Sequence, residues 1–290
     1  MTAPVFVVEQ VPDVRQFLLD GPEGRHAVSV KRLRVGEAVV LTDGAGRWAE
    51  GEVVGVEGKD QLTLRLGALV EEAPESPRIT VVQALPKGDR GELAVETMTE
   101  TGVDAIVPWA ASRCITQWRG DRGLKALAKW RATAREAGKQ SRRVRFPEVA
   151  DAGGPHPGPP PRPPPPPAPR RPPPPAPRPA AKQARRVRFP EVAEAATSKQ
   201  VAALLADADF AAVLHEDRDY GSAALATAEL PSSGEIVLVV GPEGGVSPEE
   251  LALFEEAGAK AYRLGASVLR TSTAGTAATA LLLGRTGRWS

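Results

Sequence analysis

The stretch Ile236–Glu250, IVLVVGPEGGVSPEE, carries the clearest structural signal in this chain of 290 residues. Five apolar residues typical of a buried strand lead into a glycine-rich turn, Gly241–Gly245. Ser247 then suits a helix N-cap, Pro248 the first helical position, and Glu250 the third position of a capping box. The stretch therefore predicts a strand, a turn and a capped helix. Turns at the carboxyl ends of parallel strands bind small ligands, although an ordinary tight connection would have the same outline.

The composition of the turn restricts the kind of ligand. Glycine lets a ligand approach the backbone closely, and the carboxylate of Glu243 disfavours a phosphate. The chain contains neither the G-x-x-x-x-G-K-[ST] loop of nucleoside triphosphatases nor the G-x-G-x-x-G turn of dinucleotide-binding domains. A cationic or neutral ligand fits this turn better, and a sulfonium cofactor is one such ligand.

Two other predicted strand ends lie in the same part of the chain. Strands and helices alternate from Arg78 onwards, which is typical of βαβ units with a parallel sheet. VLHE places His215 and Glu216 at one strand end, and LGASVLRTSTA leads from another strand end into a helix rich in small residues. Because carboxyl ends of parallel strands share one edge, the three turns are expected to line one pocket. A structural hydrogen-bonded pair is the alternative for His215 and Glu216.

Residues 1–72 follow a different pattern. Short runs with a period close to two alternate with Asp-Gly and other glycine-containing breaks, which predicts a small β-barrel-like domain. The segment 24–37, GRHAVSVKRLRVGE, predicts a short helix with a basic rim. A polar, proline-containing joint at 71–77 separates this domain from a predicted α/β domain at 78–290.

A repeat interrupts the α/β domain. The segment 139–152, KQSRRVRFPEVADA, recurs at 182–195 as KQARRVRFPEVAEA. Between the copies, residues 153–180 hold 17 of the 29 prolines of the chain. We expect a disordered, solvated polyproline II insert at about 151–181, and one copy of the repeat suffices for a folded core. A role of the proline run as a ligand of SH3-type domains is an alternative.

The charge is distributed unevenly along the chain. The net charge is +1, yet residues 79–195 hold 21 lysines and arginines against 11 acidic residues, and both ends of the chain are acidic. Arginine dominates the later part of this basic block, and its guanidinium group suits phosphate contacts. The block predicts binding to a polyanion, although a solvated helix surface would have the same composition.

Several classes of protein are not expected. No stretch of eighteen apolar residues is present, and the first residues lack the basic and apolar regions of a secretory signal. Cys114 is the only cysteine, which excludes an intramolecular disulfide and a cysteine-based zinc site. We therefore expect a cytoplasmic protein without a metal.

Five segments together resemble a known family, the ribosomal RNA small subunit methyltransferase E (RsmE) family of the knotted SPOUT class. The resemblance covers the chain apart from the insert and one repeat copy. One departure is Ser272, at a position where many members have glutamate. The segments are VVGPEGGVSPEEL (239–251), LGASVLRTSTA (264–274), VLHE (213–216), QALPKGDRGELAVETMTETGVDAIVPW (83–109) and KWRATAREAGKQSRR (129–143).

The resemblance implies a fold, a reaction and a cofactor site. The N-terminal domain would be a PUA-like RNA-binding barrel, and the SPOUT domain would end in a trefoil knot that holds S-adenosylmethionine (SAM). A homodimer would bind 16S rRNA of the small ribosomal subunit across both subunits and methylate N3 of a uridine. Arg270 is the candidate catalytic residue. The implied cofactor-binding residues are Leu214, His215, Glu216, Gly241, Pro242, Glu243, Gly244, Gly245, Leu264, Gly265, Val268, Leu269, Arg270 and Thr271.

The resemblance and the basic block also give a set of expected RNA contacts. Two of them are the repeat equivalents of Gln140 and Arg143. The set comprises Arg25, Lys31, Arg32, Lys87, Arg90, Arg113, Gln140, Arg143, Gln183 and Arg186.

Methyl transfer from a sulfonium to nitrogen is an in-line displacement that needs alignment and no metal. Because N3–H of uridine is a weak acid, a cationic side chain such as Arg270 would stabilise the anion that forms, and no residue stands out as the proton acceptor. Two alternatives remain. The chain could be a SPOUT methyltransferase that acts on another RNA position, such as a ribose 2′-hydroxyl, or an rRNA-binding or ribosome-assembly protein without turnover.

Overall fold

The computed structural model describes residues 3–150, 195–215 and 223–289. The helices are α1 Gly21–Arg25, continued as a π-helix at His26–Val30, α2 Arg90–Thr101, α3 Gly120–Gln140, α4 Ser198–Ala206, α5 Pro248–Glu256 and α6 Thr271–Arg285. The strands are β1 Val5–Val7, β2 Gln16–Leu19, β3 Ala38–Thr42, β4 Arg47–Glu57, β5 Gln61–Leu66, β6 Val70–Glu71, β7 Arg78–Ala84, β8 Ala105–Trp109, β9 Glu148–Val149, β10 Phe210–Leu214, β11 Ala223–Ala224, β12 Glu235–Val240 and β13 Lys260–Arg263.

The N-terminal sheet contains six strands in the order β1-β3-β4-β5-β2, with β6 paired to β4. Strands β1 and β3 are parallel, and the other pairs are antiparallel. Phe6, Leu41, Leu62 and Leu64 are fully buried and form its core. The sequence prediction missed β2, an edge strand whose sequence, QFLL, does not alternate between polar and apolar residues and whose only buried residue is Leu19.

The second sheet is entirely parallel, in the order β11-β13-β10-β12-β7-β8-β9. All six residues of β12 are buried because helices cover both of its faces, which explains its uninterrupted apolar sequence. Helices α2, α3 and α6 pack on one face around Met98 and Trp130. Helices α4 and α5 pack on the other face around Phe254 and Trp109. The predicted α/β architecture with a parallel sheet is confirmed.

The first copy of the repeat lies between the two sheets. It ends α3, forms β9 and places Phe146 N within 2.8 Å of the Gly44 carbonyl oxygen in the N-terminal sheet. The amide of Ala150 then donates to Ile106 O on β8. Beyond the insert, the amide of Ala196 donates to Pro108 O on the same strand. The predicted insert at 151–181 lies wholly outside the described residues. Of the second copy at 182–195, only Ala195 is described.

Within the described ranges, no helix has the length and apolarity that a membrane span requires. The trefoil knot and the domain boundaries at residues 72 and 78 stay predictions.

Candidate functional site

The turn after β12 has the predicted strand, turn and helix geometry. Gly245 has a φ of 73°, a left-handed conformation that favours glycine, and its amide donates to Pro242 O at 2.9 Å. Ser247 is the N-cap of α5, and its side chain and that of Glu250 form the complete capping box. Because β12 and α5 both pack in the core, the turn between them is held at both of its ends, at the carboxyl edge of the sheet.

The three predicted strand ends converge on one cleft of about 540 Å³. Its other lining residues include Arg90, Arg113, Tyr262 and Ala274. Glu216 lies outside the described residues. The predicted cofactor residues that line the cleft are Leu214, His215, Gly241, Pro242, Glu243, Gly244, Gly245, Leu264, Gly265, Val268, Leu269, Arg270 and Thr271.

The parallel register explains why distant segments meet here. Strand β10 lies between β12 and β13, with Leu214 opposite Val240 and Tyr262. The His215 amide continues this ladder by donating to Tyr262 O at 2.9 Å. Each strand therefore delivers the following turn to the same edge of the sheet.

Two arginine side chains and one backbone amide contact the outer side of the glycine-rich turn. The Glu243 carboxylate accepts a hydrogen bond from the Lys87 amide at 3.2 Å and lies 3.5 Å from Nη1 of Arg90. Nη1 of Arg113 donates to Gly244 O at 3.0 Å. These three predicted RNA contacts are exposed and lie at the turn, so the predicted cofactor and RNA residues share one surface.

Arg270 stands at the junction between the exposed 264–270 turn and α6. It is the N-cap residue of α6, and its carbonyl accepts the amides of Thr273 and Ala274 at 2.9 Å. The backbone is thereby fixed while the side chain remains exposed at the cleft. Nε2 of the buried Gln83 lies 3.4 Å from Thr271 O and supports the start of the helix.

Two other titratable groups near the cleft are neutral at pH 7. Burial raises the pKa of the Cys114 thiol to about 11, so a thiolate nucleophile is not available there. Burial also raises the pKa of Tyr262. Among the residues that the structure describes, no three His, Cys, Asp or Glu side chains cluster closely enough to hold a metal.

The remaining predicted RNA contacts have different environments. Arg25, Lys31, Arg32 and Gln140 are exposed. Arg143 is half-buried, and its Nη1 donates to Thr99 O and Val103 O at 2.9 Å. Burial lowers the pKa of Arg143, and its bonds give it a structural role that competes with the predicted RNA contact. Gln183 and Arg186 lie outside the described residues.

Sequence reasoning missed the wider role of Glu250. Its capping box was predicted, but the carboxylate also accepts bonds from Ser112 and Ser198. These partners lie 138 and 52 residues away along the chain, and a serine carries no distinctive sequence signal.

The comparisons with known proteins agree with this architecture. A family model described as an RNA methyltransferase domain matches residues 74–153 and 177–283. A second model, described as an RNA methyltransferase PUA domain, matches residues 19–67. Together they establish a PUA domain followed by a SPOUT methyltransferase domain, as the sequence predicted.

Relatives extend the match to the whole chain. The ribosomal RNA small subunit methyltransferase E of Mycobacterium bovis is 40% identical over 290 residues, which cover 100% of this chain and 94% of the relative. The Bacillus subtilis protein of that name is 24% identical over 271 residues, 92% of this chain and 89% of the relative. The Neisseria gonorrhoeae enzyme, crystallised with S-adenosyl methionine, superposes with a TM-score of 0.71 at 25% identity, covering 98% of each chain. The chain therefore belongs to the ribosomal RNA small subunit methyltransferase E family.

Proposed function

We propose that this protein transfers the methyl group of SAM to N3 of a uridine in the 16S rRNA of the small ribosomal subunit. The observation that carries the proposal is the convergence of the three strand ends on one cleft. Family membership supports the substrate, and the Neisseria gonorrhoeae relative was crystallised with the same cofactor. A ribosomal substrate agrees with the predicted cytoplasmic location.

The lining of the cleft fits SAM. A volume of about 540 Å³ is within the range of small-molecule sites. A Cβ on Gly265 would meet no protein atom within 4 Å, so the space beside this glycine is open to a ligand. Glu243 places a carboxylate in this lining, with Nη1 of Arg90 3.5 Å away. Leu214, the Gly241–Gly245 turn and the 264–271 turn would hold the cofactor.

When bound, SAM supplies an electrophilic methyl group. The turns of the chain align the uracil ring with this group, because an in-line displacement depends on orientation. The Arg270 guanidinium donates to the uracil carbonyl oxygens and stabilises the negative charge that develops as N3 loses its proton. The proton passes to solvent in this proposal. Ser272 is buried at the start of α6 and does not take part.

The RNA substrate would reach the cleft along its basic rim. Lys87, Arg90 and Arg113 border the glycine-rich turn and would contact phosphates, because guanidinium and ammonium groups position the RNA backbone. Arg25, Lys31, Arg32 and Gln140 are exposed on the N-terminal domain and at the end of α3, and would contact the RNA there. The target uridine must be unpaired or flipped out to reach the methyl group.

A homodimer belongs to the proposal. Ile115 and Val268 are 76% and 71% exposed, and Val268 lines the cleft. A second copy of the chain that covers these two side chains would remove their apolar surface from water. Sedimentation equilibrium of the purified protein tests this point, and a monomer at micromolar concentration would contradict it.

The reaction is tested with small ribosomal subunits from a strain that lacks the gene. We expect the purified protein with SAM to produce N3-methyluridine in 16S rRNA, identified by mass spectrometry of its nucleosides. A 2′-O-methylated product would favour the alternative SPOUT reaction. Absence of SAM binding in calorimetry would favour an rRNA-binding protein without turnover.

A further inference from the structure

Glu250 is a buried carboxylate with more partners than a helix cap requires. It is 6% exposed, and its oxygens accept hydrogen bonds from Ser112 N at 2.7 Å, Ser198 Oγ at 2.8 Å, Ser112 Oγ at 2.9 Å and Ser247 N at 3.2 Å. Only the bond from Ser247 belongs to the capping box of α5. The other three bonds join α5 to α4 and to the segment between β8 and α3.

The bonds to Ser112 lead directly to the cofactor turn. Arg113 follows Ser112, lines the cleft and donates through Nη1 to Gly244 O at 3.0 Å. A Cβ on Gly244 would lie 3.4 Å from the Arg113 Cβ, so the two segments lie close together. Glu250 therefore holds the segments on both sides of this contact. It accepts a bond from Ser112, which precedes Arg113, and it caps α5, which follows the Gly241–Gly245 turn.

We propose that Glu250 is a positioning residue, which sets the position of Arg113 and thereby the shape of the Gly241–Gly245 turn around SAM. The inference rests on the proposed function. A carboxylate is needed because its two oxygens accept four hydrogen bonds, whereas an amide offers one acceptor oxygen. Supporting groups of this kind hold binding residues in a productive geometry.

Calorimetric titration of SAM into the purified full-length protein tests the proposal. Glu250→Gln should raise the Kd for SAM about tenfold, the lower end of the loss in affinity that follows removal of the groups supporting metal ligands. The matched control is Glu256→Gln, which removes the same charge from an exposed residue at the far end of α5 and should leave the Kd within about twofold.

Two serine variants separate positioning from general packing. Ser112→Ala and Ser198→Ala each remove one hydroxyl bond to the same carboxylate, of 2.9 Å and 2.8 Å. If Glu250 acts through Arg113, Ser112→Ala raises the Kd about threefold and Ser198→Ala changes it less than Ser112→Ala does. A purely structural network would give Ser198→Ala an effect at least as large, because that variant also removes the acceptor of Trp109 Nε1 at 3.2 Å. Because each serine variant keeps three of the four bonds, the test holds even if Glu250→Gln does not fold.

A double-mutant cycle with Arg113→Ala completes the test. In that background, Glu250→Gln should change the Kd for SAM by less than about twofold, since Arg113 is the group it positions. The proposal is overturned if Glu250→Gln binds SAM like the wild type, or if its effect is undiminished without Arg113. If the wild-type protein binds no SAM, the proposed function fails and this inference with it. Normal wild-type binding with an unaffected Glu250→Gln overturns the inference alone.

Discussion

Two groups of basic side chains in this protein differ in what their charges do. Lys139, Arg143 and Arg145 belong to the first repeat copy and lie between the two sheets, where their donors are bound by the protein itself. Arg113 and Arg270 are exposed at the cleft, where Arg113 donates one hydrogen bond to Gly244 O and keeps its other donors open to solvent. In the sequence, both groups are basic residues near glycine-rich or polar segments. The comparison teaches that the partners of a basic side chain, more than its charge, distinguish a structural role from a binding role.

The contacts between the sheets are specific. Nζ of Lys139 lies 2.9 and 3.1 Å from the two carboxylate oxygens of Glu23, and its residue is 7% exposed. Nη2 of Arg145 donates to Glu72 O at 2.6 Å, and Thr42 Oγ1 donates to Val144 O at 2.7 Å. The repeat copy therefore joins the PUA sheet to the methyltransferase sheet. These bonds hold the Lys139 and Arg145 side chains in place.

The largest effect is expected from Arg270→Ala. Loss of a group that stabilises developing negative charge lowers kcat by roughly 10²–10³-fold, about 3–4 kcal/mol. The Kd for SAM should change little, because the backbone at residue 270 is held by α6. Methylation kinetics and calorimetry measure the two quantities. The control Arg65→Ala changes an exposed arginine of β5 that pairs with Glu52. Equal kcat in wild type and Arg270→Ala would remove this residue from the reaction.

The next effect concerns stability and is expected from Lys139→Met. Removing one partner of a buried ion pair leaves the Glu23 carboxylate uncompensated and should cost about 3 kcal/mol. Lys129→Met is a matched control on the same helix, since Nζ of Lys129 also lies 2.9 Å from a glutamate, Glu92, but its side chain is 64% exposed. That exposed pair should contribute less than about 1 kcal/mol. Urea unfolding measures both, and equal costs would show that burial does not matter here.

The sequence was sufficient for the cleft but insufficient for the contacts between the sheets. Strand ends, the capping box at Ser247 and the glycine-rich turn are local patterns, and a parallel sheet brings such ends to one edge. The sequence predicts Arg143 as an RNA contact and places Lys139 in the basic block. Their structural partners, Glu23 and the carbonyls of Thr99 and Val103, come from segments that no local pattern links to them. A backbone carbonyl acceptor cannot be recognised from residue identity at all.

A smaller effect is expected from Gly245→Ala, which tests the turn without removing a charge. The φ of 73° is costly for alanine by about 1–2 kcal/mol, so the turn should shift and SAM should bind about tenfold more weakly. Gly258→Ala is the control, because Gly258 follows α5 with a φ of 92° and a Cβ there meets no atom within 4 Å. It should lower stability to a similar extent while calorimetry shows unchanged SAM affinity. A loss of affinity in both variants would indicate a global effect.

The smallest effect is expected from deleting residues 151–194. The deletion removes the insert and nearly all of the second repeat copy, and it keeps the first copy up to Ala150. The donors Ala150 and Ala196 bond to Ile106 and Pro108, two residues apart on β8. A continuous parallel strand would place one residue between these donors, and the deletion leaves Ala195 in that place. Both ends already pair with the sheet, and shortening the connection between them lowers the entropic cost of closure.

We therefore expect the stability of this deletion variant not to fall, and its methylation rate to match that of the full chain. Deletion of 151–193 is the register control, since it leaves one residue more and requires a bulge beside β8. It should be less stable than the 151–194 variant in urea unfolding, because the bulge disrupts the ladder. If the 151–194 variant instead lost its fold, the first copy would be unable to join the sheets by itself. The distinction between its structural basic side chains and the arginines at the cleft would then fail.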